Sequence, residues 1–336
     1  MTILFNKVSF SVAAMLCVVF QTFAQGPNDT GSYYQPADGT KGKDLKTALW
    51  KIISNHEQHS YKQLWQDFYT TDRRDDGKVW DMYSSATSYE MGGPEQGANY
   101  KREGDSYNRE HSFPKSWFDD AYPMYTDLHH IVPTDGYVNN RRGNLPFGET
   151  DAPTYQSEGG FSKVGPSSVD GYGGNVFEPA DEYKGDFARI YFYMATCYED
   201  RIAGWDCPML SGDSYPAYAP WALTMLLRWA EEDPVSKKET DRNNAVWTLQ
   251  HNRNPYVDYP GLEQYVWGTK VDEAFSYDHY GTSDGITTVV PAQAGRRVVV
   301  YSISGVAVTT ARDASTALDG LPAGVYIVGG RKLAVR

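Results

Sequence analysis

Cysteine is scarce in this chain, with three residues among 336. Cys17 falls within the N-terminal segment discussed next, so a mature protein would keep only Cys197 and Cys207. The paired-cysteine spacing of a structural zinc site is absent from the sequence. A bridge between Cys197 and Cys207 would close a short loop and contribute roughly 2 to 3 kcal/mol, but two separate thiols are also compatible with the sequence.

Long hydrophobic runs are lacking too, apart from one near the N-terminus. Lys7, the apolar residues 13–20 and the pattern Thr22-Phe23-Ala24 fit a secretory signal peptide over residues 1–24. The run is too short to span a bilayer, and the sequence has no other stretch of about 18 apolar residues. We therefore expect an exported protein without a transmembrane segment.

Basic charge is in deficit, because 31 Lys and Arg face 43 Asp and Glu, a formal net charge of -12. Proteins that capture nucleic acid by bulk electrostatics usually present a basic face. Any chemistry on phosphates must therefore depend on specific residues.

Aromatic residues, by contrast, are abundant: 26 Tyr, 9 Trp and 13 Phe. A chain with this content can bury a sizeable core, which argues against disorder. Apolar residues at helical spacing follow three candidate N-caps, Asp44, Asp135 and Asp186, and a capping-box pair, Ser236 and Glu239.

Two further segments complete the predicted organisation. Residues 153–174 are rich in Gly, Ser, Pro and Tyr, which predicts a long surface loop. The last fifty residues alternate apolar and polar positions between glycine-containing turns, a pattern typical of short strands. The sequence thus predicts an α+β protein: a signal peptide (1–24), a helix-rich domain (25–283) and a small all-β, sandwich-like domain (284–336).

One short polar segment contains the residue types that phosphodiester hydrolysis needs. Histidine is the natural base near neutral pH, and carboxylate and amide oxygens suit a hard cation. Glu110 and His111 are adjacent, and Asn139 follows 139 - 111 = 28 residues after the histidine, one turn into the helix predicted behind Asp135. Residues 129–133 are strand-like, so strands and a helix would hold the set.

Four stretches of this region resemble the bacterial extracellular endonuclease I family of ββα-metal, or His-Me finger, nucleases. They are YNREHSFPKSWF (107–118), TDLHHIVPTDGYVNNRRGNLPFGE (126–149), KGDFARIYFYMA (184–195) and RNNAVWTLQHNRNPYVDYP (242–260). Several long motifs in order are far more specific than an isolated REH triplet.

The resemblance implies a secreted endonuclease that cuts DNA, and often RNA, with little sequence preference. It implies that His111 is the general base and that Glu110 and Asn139 hold one divalent cation, Mg²⁺ first, with Mn²⁺ or Ca²⁺ as alternatives. In some relatives an acidic side chain upstream of the DLH motif orients the base. Here Tyr125 occupies that region, which leaves Asp127, Tyr125 or a backbone carbonyl as candidates for this task.

Other polar residues near the motifs are candidates for supporting or phosphate-binding roles. Asp127 and His129 could lie under the site, and adjacent residues His129 and His130 on one strand could not easily share a metal. The remaining candidates are Arg109, Arg141, Arg142, Asn144 and Arg189, and for Arg189 tying helices together is an equally simple role.

Two C-terminal stretches are similar to the sorting domain of type IX secretion substrates. They are VVVYSISGVAV and GLPAGVYIVGGRKLAVR. That resemblance implies the outer-membrane secretion machinery as a partner and a protein released or attached at the cell surface. The alternative for this segment is a small β-domain packed on the first domain. We expect a monomer. The alternative function is a surface glycan-binding or adhesion protein, because aromatic residues in 155–172 could stack on sugars.

Overall fold

The computed structural model describes residues 26–97 and 99–280, followed by residues 298–302, 307–311, 321–322, 324–328 and 331–335. The chain divides into two compact units, Met1–Tyr280 and Gly281–Arg336. The predicted signal peptide, with Cys17, and the junction between the two predicted domains lie outside the described residues. Within the described part, none of the helices combines the length and apolar character needed to cross a membrane.

The first unit mixes helices and short strands. Its helices are α1 (Gly42–Ile53), α2 (Leu64–Thr71), α3 (Gly136–Arg142), α4 (Lys184–Cys197), α5 (Pro220–Glu232), α6 (Lys237–Gln250), α7 (Pro255–Asp258) and α8 (Leu262–Val266). Its strands are β1 (Tyr107–His111), β2 (Ile131–Asp135), β3 (Tyr155–Gln156), β4 (Lys163–Pro166) and β5 (Asn175–Glu178). The α+β prediction is therefore confirmed at this level.

Helix α4 forms the centre of the unit. Every residue from Gly185 to Cys197 is buried, and α1, α5 and α7 pack around it. A helix that is covered on all sides belongs to the interior of a domain. Aromatic residues contribute to this core, since Phe187, Tyr191 and Phe192 are fully buried.

The predicted caps have different outcomes. The Asp135 side chain accepts a hydrogen bond from the Val138 amide at 2.8 Å and starts α3, and the Ser236–Glu239 capping box starts α6. Asp44 and Asp186 do not cap, because α1 begins at Gly42 and α4 at Lys184, which places both carboxylates inside the first turn. An acidic residue there still stabilises a helix through the dipole.

The loop prediction for residues 153–174 was wrong in part. Strands β3 and β4 lie within it and pair antiparallel, and β4 pairs in turn with β5. The Val164 carbonyl accepts bonds from the backbone and side chain of Thr154, which fastens the turn between them. The Gly-rich composition therefore belongs to a small sheet with tight turns.

In the second unit the described residues form four strands, β6 (Val298–Ser302), β7 (Ala307–Ala311), β8 (Gly324–Val328) and β9 (Arg331–Val335). They make one antiparallel sheet in the order β7-β6-β8-β9. The glycine-containing turns predicted for this segment lie outside the described residues.

Candidate active site

A β-hairpin followed directly by a short helix holds the predicted residues together. Strands β1 and β2 pair antiparallel, with Glu110 opposite Val132 and His111 opposite Ile131. Because α3 starts at the residue after β2, Asn139 comes back beside the hairpin, and its amide nitrogen donates to the Asn108 side chain at 2.8 Å. His129 and His130 precede β2 and lie in a turn, so the predicted strand begins two residues later than expected.

Glu110 is buried, and its carboxylate is held on one side. The Tyr83 hydroxyl donates to Oε1 at 2.9 Å, and the Arg142 guanidinium donates to the same oxygen. Burial raises the pKa of Glu110, while the charge and hydrogen bonds of Arg142 and hydrogen bonds from Tyr83 and Asn139 lower it. Both of these donors bond Oε1, and neither bonds Oε2.

His111 is oriented by a backbone group. Its Nε2 lies 3.1 Å from the Tyr125 carbonyl oxygen, which can only accept, so Nε2 carries the proton and Nδ1 keeps a lone pair. Of the candidates left by the sequence, the carbonyl of Tyr125 is therefore the partner. Burial, reinforced by nearby His130, lowers the pKa of His111 to about 3, which keeps the imidazole neutral near pH 7.

The donor atoms around this histidine fit a hard divalent cation. Glu110 supplies a carboxylate and Asn139 an amide, and the two side chains are close enough to hydrogen-bond. Carboxylate and amide oxygens, completed by water and substrate phosphate, are the ligands that Mg²⁺ takes in proteins. A softer metal would favour sulfur or imidazole ligands.

Arg142 lies under this centre as a supporting residue. It is completely buried, and besides Glu110 it donates to the carbonyls of His111 at 3.2 Å and Ser112 at 2.7 Å. It therefore fixes the end of β1, and its burial keeps it from contacting a phosphate. A buried guanidinium whose two terminal nitrogens are bonded in this way holds geometry through its planar set of donors.

The other arginines predicted near the site have different surroundings. Arg109 is half-buried, with its guanidinium 3.5 Å from the Tyr61 ring centre and 4.3 Å from that of Trp65. Arg141 is exposed on α3 beside Tyr137. Arg189 is buried in an ion pair with Glu239 on α6, where it ties two helices together.

Asp127 and His129 belong to a buried hydrogen-bond network next to the site. Asp127 Oδ1 accepts from the His129 amide at 2.9 Å and the Gln250 side chain at 3.0 Å, and Oδ2 accepts from the hydroxyls of Tyr193 and Tyr198 at 2.8 and 2.6 Å. The His129 ring lies 3.3 Å from the Asn252 carbonyl. The network supports the segment that carries the Tyr125 carbonyl.

A second group of ligand-type atoms adjoins this network. Ligand atoms of His56, Asp127 and Cys197 lie within 4.8 Å of one another. Because four donors already occupy the Asp127 oxygens, this group is a satisfied hydrogen-bond centre and a poor competitor for a cation. Cys197 and Cys207 are separate thiols, so the predicted alternative of a bridge does not apply.

Sequence reasoning missed Tyr83, His56 and the ring of Tyr61, all of which contact the predicted residues. Tyr83 precedes Glu110 by 27 residues, and nothing in its neighbourhood marks it. Asn144, which the sequence did single out, is exposed just after α3. Contacts between segments so far apart leave no local signal.

A neutral histidine and a carboxylate on one hairpin, with an amide on the helix that follows, are the residue types expected of a hydrolase that acts on phosphodiesters with a divalent cation. Comparison with known proteins agrees, since residues 41–261 match the Endonuclease I family. The chain belongs to the endonuclease I family. It is accordingly an enzyme that hydrolyses nucleic acid, and family membership implies a divalent metal ion.

Several curated proteins are similar to this chain. The extracellular ribonuclease of Bacillus amyloliquefaciens is 35% identical over 258 residues, 71% of this chain and 79% of the relative. The extracellular ribonuclease of Bacillus subtilis is 34% identical over 247 residues, with the same two shares. An extracellular deoxyribonuclease of Aeromonas hydrophila is 27% identical over 140 residues, 42% of this chain and 52% of the relative.

Proposed function

We propose that this protein is a secreted endonuclease that hydrolyses phosphodiester bonds of DNA and RNA with little sequence preference, through a His-Me finger centre and one Mg²⁺ ion. The observation that carries the proposal is the hydrogen bond from His111 Nε2 to the Tyr125 carbonyl, 3.1 Å long, which leaves the Nδ1 lone pair to act as a base on the strand that also carries Glu110. A glycan-binding or adhesion function has no comparable support.

Each residue has a defined task in this mechanism. His111 accepts the proton of the attacking water at Nδ1, and the Tyr125 carbonyl stabilises the imidazolium through Nε2–H. Glu110 and Asn139 would hold the cation, which when bound would supply positive charge to offset that of the phosphate. Arg142 and Tyr83 keep Glu110 in place, so that the carboxylate does not have to reorganise when substrate binds.

Phosphate contacts outside the centre fall to the accessible polar residues. Arg109, Arg141 and Asn144 are exposed or half-buried around β1 and α3, whereas Arg142 and Arg189 are buried. Because only two of these accessible residues are basic, their electrostatic attraction to the substrate should be weak. Substrate binding should therefore depend on the metal centre. Low sequence preference follows, because phosphate contacts carry no base information.

Substrate range and location follow from the relatives. Two that cover most of their length are named extracellular ribonucleases, and others are named deoxyribonucleases, which supports activity on both polymers outside the cell. The signal peptide over residues 1–24 and a type IX sorting domain over residues 284–336 would provide the export route. In this proposal the catalytic domain, residues 25–283, acts as a monomer.

The proposal is tested by nicking of supercoiled plasmid. Mature protein with Mg²⁺ should nick the plasmid, chelation should stop the reaction, and His111→Ala should reduce the rate about 10²- to 10⁴-fold, the usual contribution of a general base. His251→Asn is a matched control, since His251 is an exposed histidine with positive φ, a conformation that asparagine tolerates. Full activity of His111→Ala would exclude this assignment.

A further inference from the structure

Three tyrosine side chains lie in contact next to the proposed catalytic histidine, and the rings of two of them, Tyr61 and Tyr125, stack on it. The Tyr125 ring stacks on His111 with centroids 5.1 Å apart, and Tyr61 lies 4.7 Å from Tyr125 on one side. Tyr122 lies 5.4 Å from Tyr125, edge to face, on another. We refer to Tyr61, Tyr125 and Tyr122 as the tyrosine row.

The outer end of the row is open to solvent. Tyr122 is 47% exposed, and few other large hydrophobic side chains of the described residues are exposed. Its backbone is anchored, because Arg201 donates to the Tyr122 carbonyl at 3.3 Å and the Tyr125 amide donates to Ala121 at 3.0 Å. An anchored ring in a fixed position loses little conformational freedom when a flat ligand stacks on it.

Two cations lie beside the row. The Arg109 guanidinium lies 3.5 Å from the Tyr61 ring centre, at one end, and the exposed Lys115 ammonium lies 5.4 Å from the ring centre of Tyr125, the middle member. Lys115 is paired with Asp120 at 2.8 Å, an exposed ion pair that costs little to exchange for another anion. Aromatic faces flanked by cations are the surface that binds an unpaired base together with its phosphate.

We propose that the tyrosine row is a subsite for an unpaired nucleobase of the strand being cut, with Tyr122 as its stacking surface and Lys115 as its phosphate contact. The inference rests on the proposed nuclease function and adds a substrate preference to it. A base inside a duplex is paired and stacked on its neighbours, so it offers no free face to Tyr122. The subsite therefore favours single-stranded over double-stranded substrate.

The test compares Tyr122→Ala, Tyr122→Phe and wild type on a single-stranded oligonucleotide and on duplex plasmid, in the same buffer with Mg²⁺. Tyr122→Ala should raise KM for the single strand by about fivefold or more, as loss of one base-stacking contact does elsewhere. The kcat for the single strand should change little, and the ratio of single-strand to duplex kcat/KM should fall with KM. Tyr122→Phe should keep the wild-type ratio, because its ring still stacks.

Trp247→Ala serves as the control for loss of an exposed aromatic residue, since Trp247 contacts Tyr33 and His251 and lies outside the row. Its ratio should match wild type. An unchanged ratio in Tyr122→Ala would overturn the inference, whether both substrates are affected equally or neither is. Failure of the nuclease proposal is distinguishable, because wild-type protein would then cut neither substrate.

Discussion

Two buried carboxylates, Glu110 and Asp127, lie close together along the chain and have opposite surroundings. Asp127 receives four hydrogen bonds shared between its two oxygens. Glu110 receives those of Tyr83 and Arg142 on a single oxygen. Protein donors bond both oxygens of Asp127, whereas the Tyr83 and Arg142 bonds to Glu110 use Oε1 alone.

Their proton affinities differ in the same way. Burial raises the pKa of Glu110, and Arg142 only partly offsets it. Burial also raises the pKa of Asp127, but His56, His129, His130 and Gln250 outweigh it, and the pKa ends well below the ordinary value. A carboxylate that the protein alone does not fully stabilise gains most from an added cation. The comparison therefore favours Glu110 over Asp127 as the acid that we propose to hold the cation.

The largest expected effect comes from Glu110→Gln. Neutralising the cation-binding carboxylate should lower plasmid nicking about 100-fold or more, comparable to losing a strong electrostatic contact in other enzymes. Titration of activity with Mg²⁺ should show the midpoint moving to higher concentration. If the variant keeps wild-type nicking at low Mg²⁺, Glu110 does not hold the ion.

Asp127→Asn should act mainly on stability. The amide that replaces one carboxylate oxygen removes acceptors from buried donors, which costs about 2 to 3 kcal/mol in the free energy of unfolding. Urea denaturation measures this loss, and nicking by the protein that remains folded should fall far less than in Glu110→Gln. A variant with unchanged stability and abolished nicking would reverse the roles assigned to the two carboxylates.

A smaller effect is expected from acidification. Burial lowers the pKa of His129 to about 3, although the charge of Asp127 opposes the shift. Between the ordinary histidine value near 6.5 and that lowered pKa, the unfolded chain binds a proton that the native chain does not. Titration of His129 therefore leaves the free energy of unfolding unchanged above pH ~6.5. Below that pH it lowers the free energy of unfolding by up to about 1.4 kcal/mol for each pH unit.

Urea midpoints between pH 7 and pH 5 check this slope in wild type and in His129→Gln, which lacks the titrating ring. The substituted protein should be less stable at pH 7 but should lose less stability on acidification. Equal slopes in the two proteins would show that His129 is not the titrating group.

Local patterns predicted part of the site. Asp135 was predictable as a cap because a carboxylate and the amide three residues later interact within one turn, and this placed Asn139 on the correct helix. Asp44 misled because the same residue type also stabilises a first turn, and the true start depends on the backbone at Lys41 and Gly42. Residue type alone does not distinguish these two positions.

Long-range contacts escaped prediction for a different reason. The Tyr125 carbonyl reaches His111 across 14 residues, and Arg142 reaches Glu110 across 32. Every residue has a backbone carbonyl, so no sequence pattern could identify the one at Tyr125 as the partner of His111. Likewise, β4 lies between β3 and β5, and its pairing depends on residues 175–178, beyond the glycine-rich stretch that was interpreted as a loop.

The cap of α3 also determines which face of the helix carries the Asn139 amide. Asp135 is the last residue of β2, and it receives bonds from the Tyr89 hydroxyl at 2.5 Å and the Gly104 amide at 2.8 Å as well as from Val138. Each residue advances a helix by about 100°, so one inserted between Asp135 and Asn139 would turn the amide to another face. The four-residue spacing from Asp135 to Asn139 therefore fixes the direction in which the amide leaves α3.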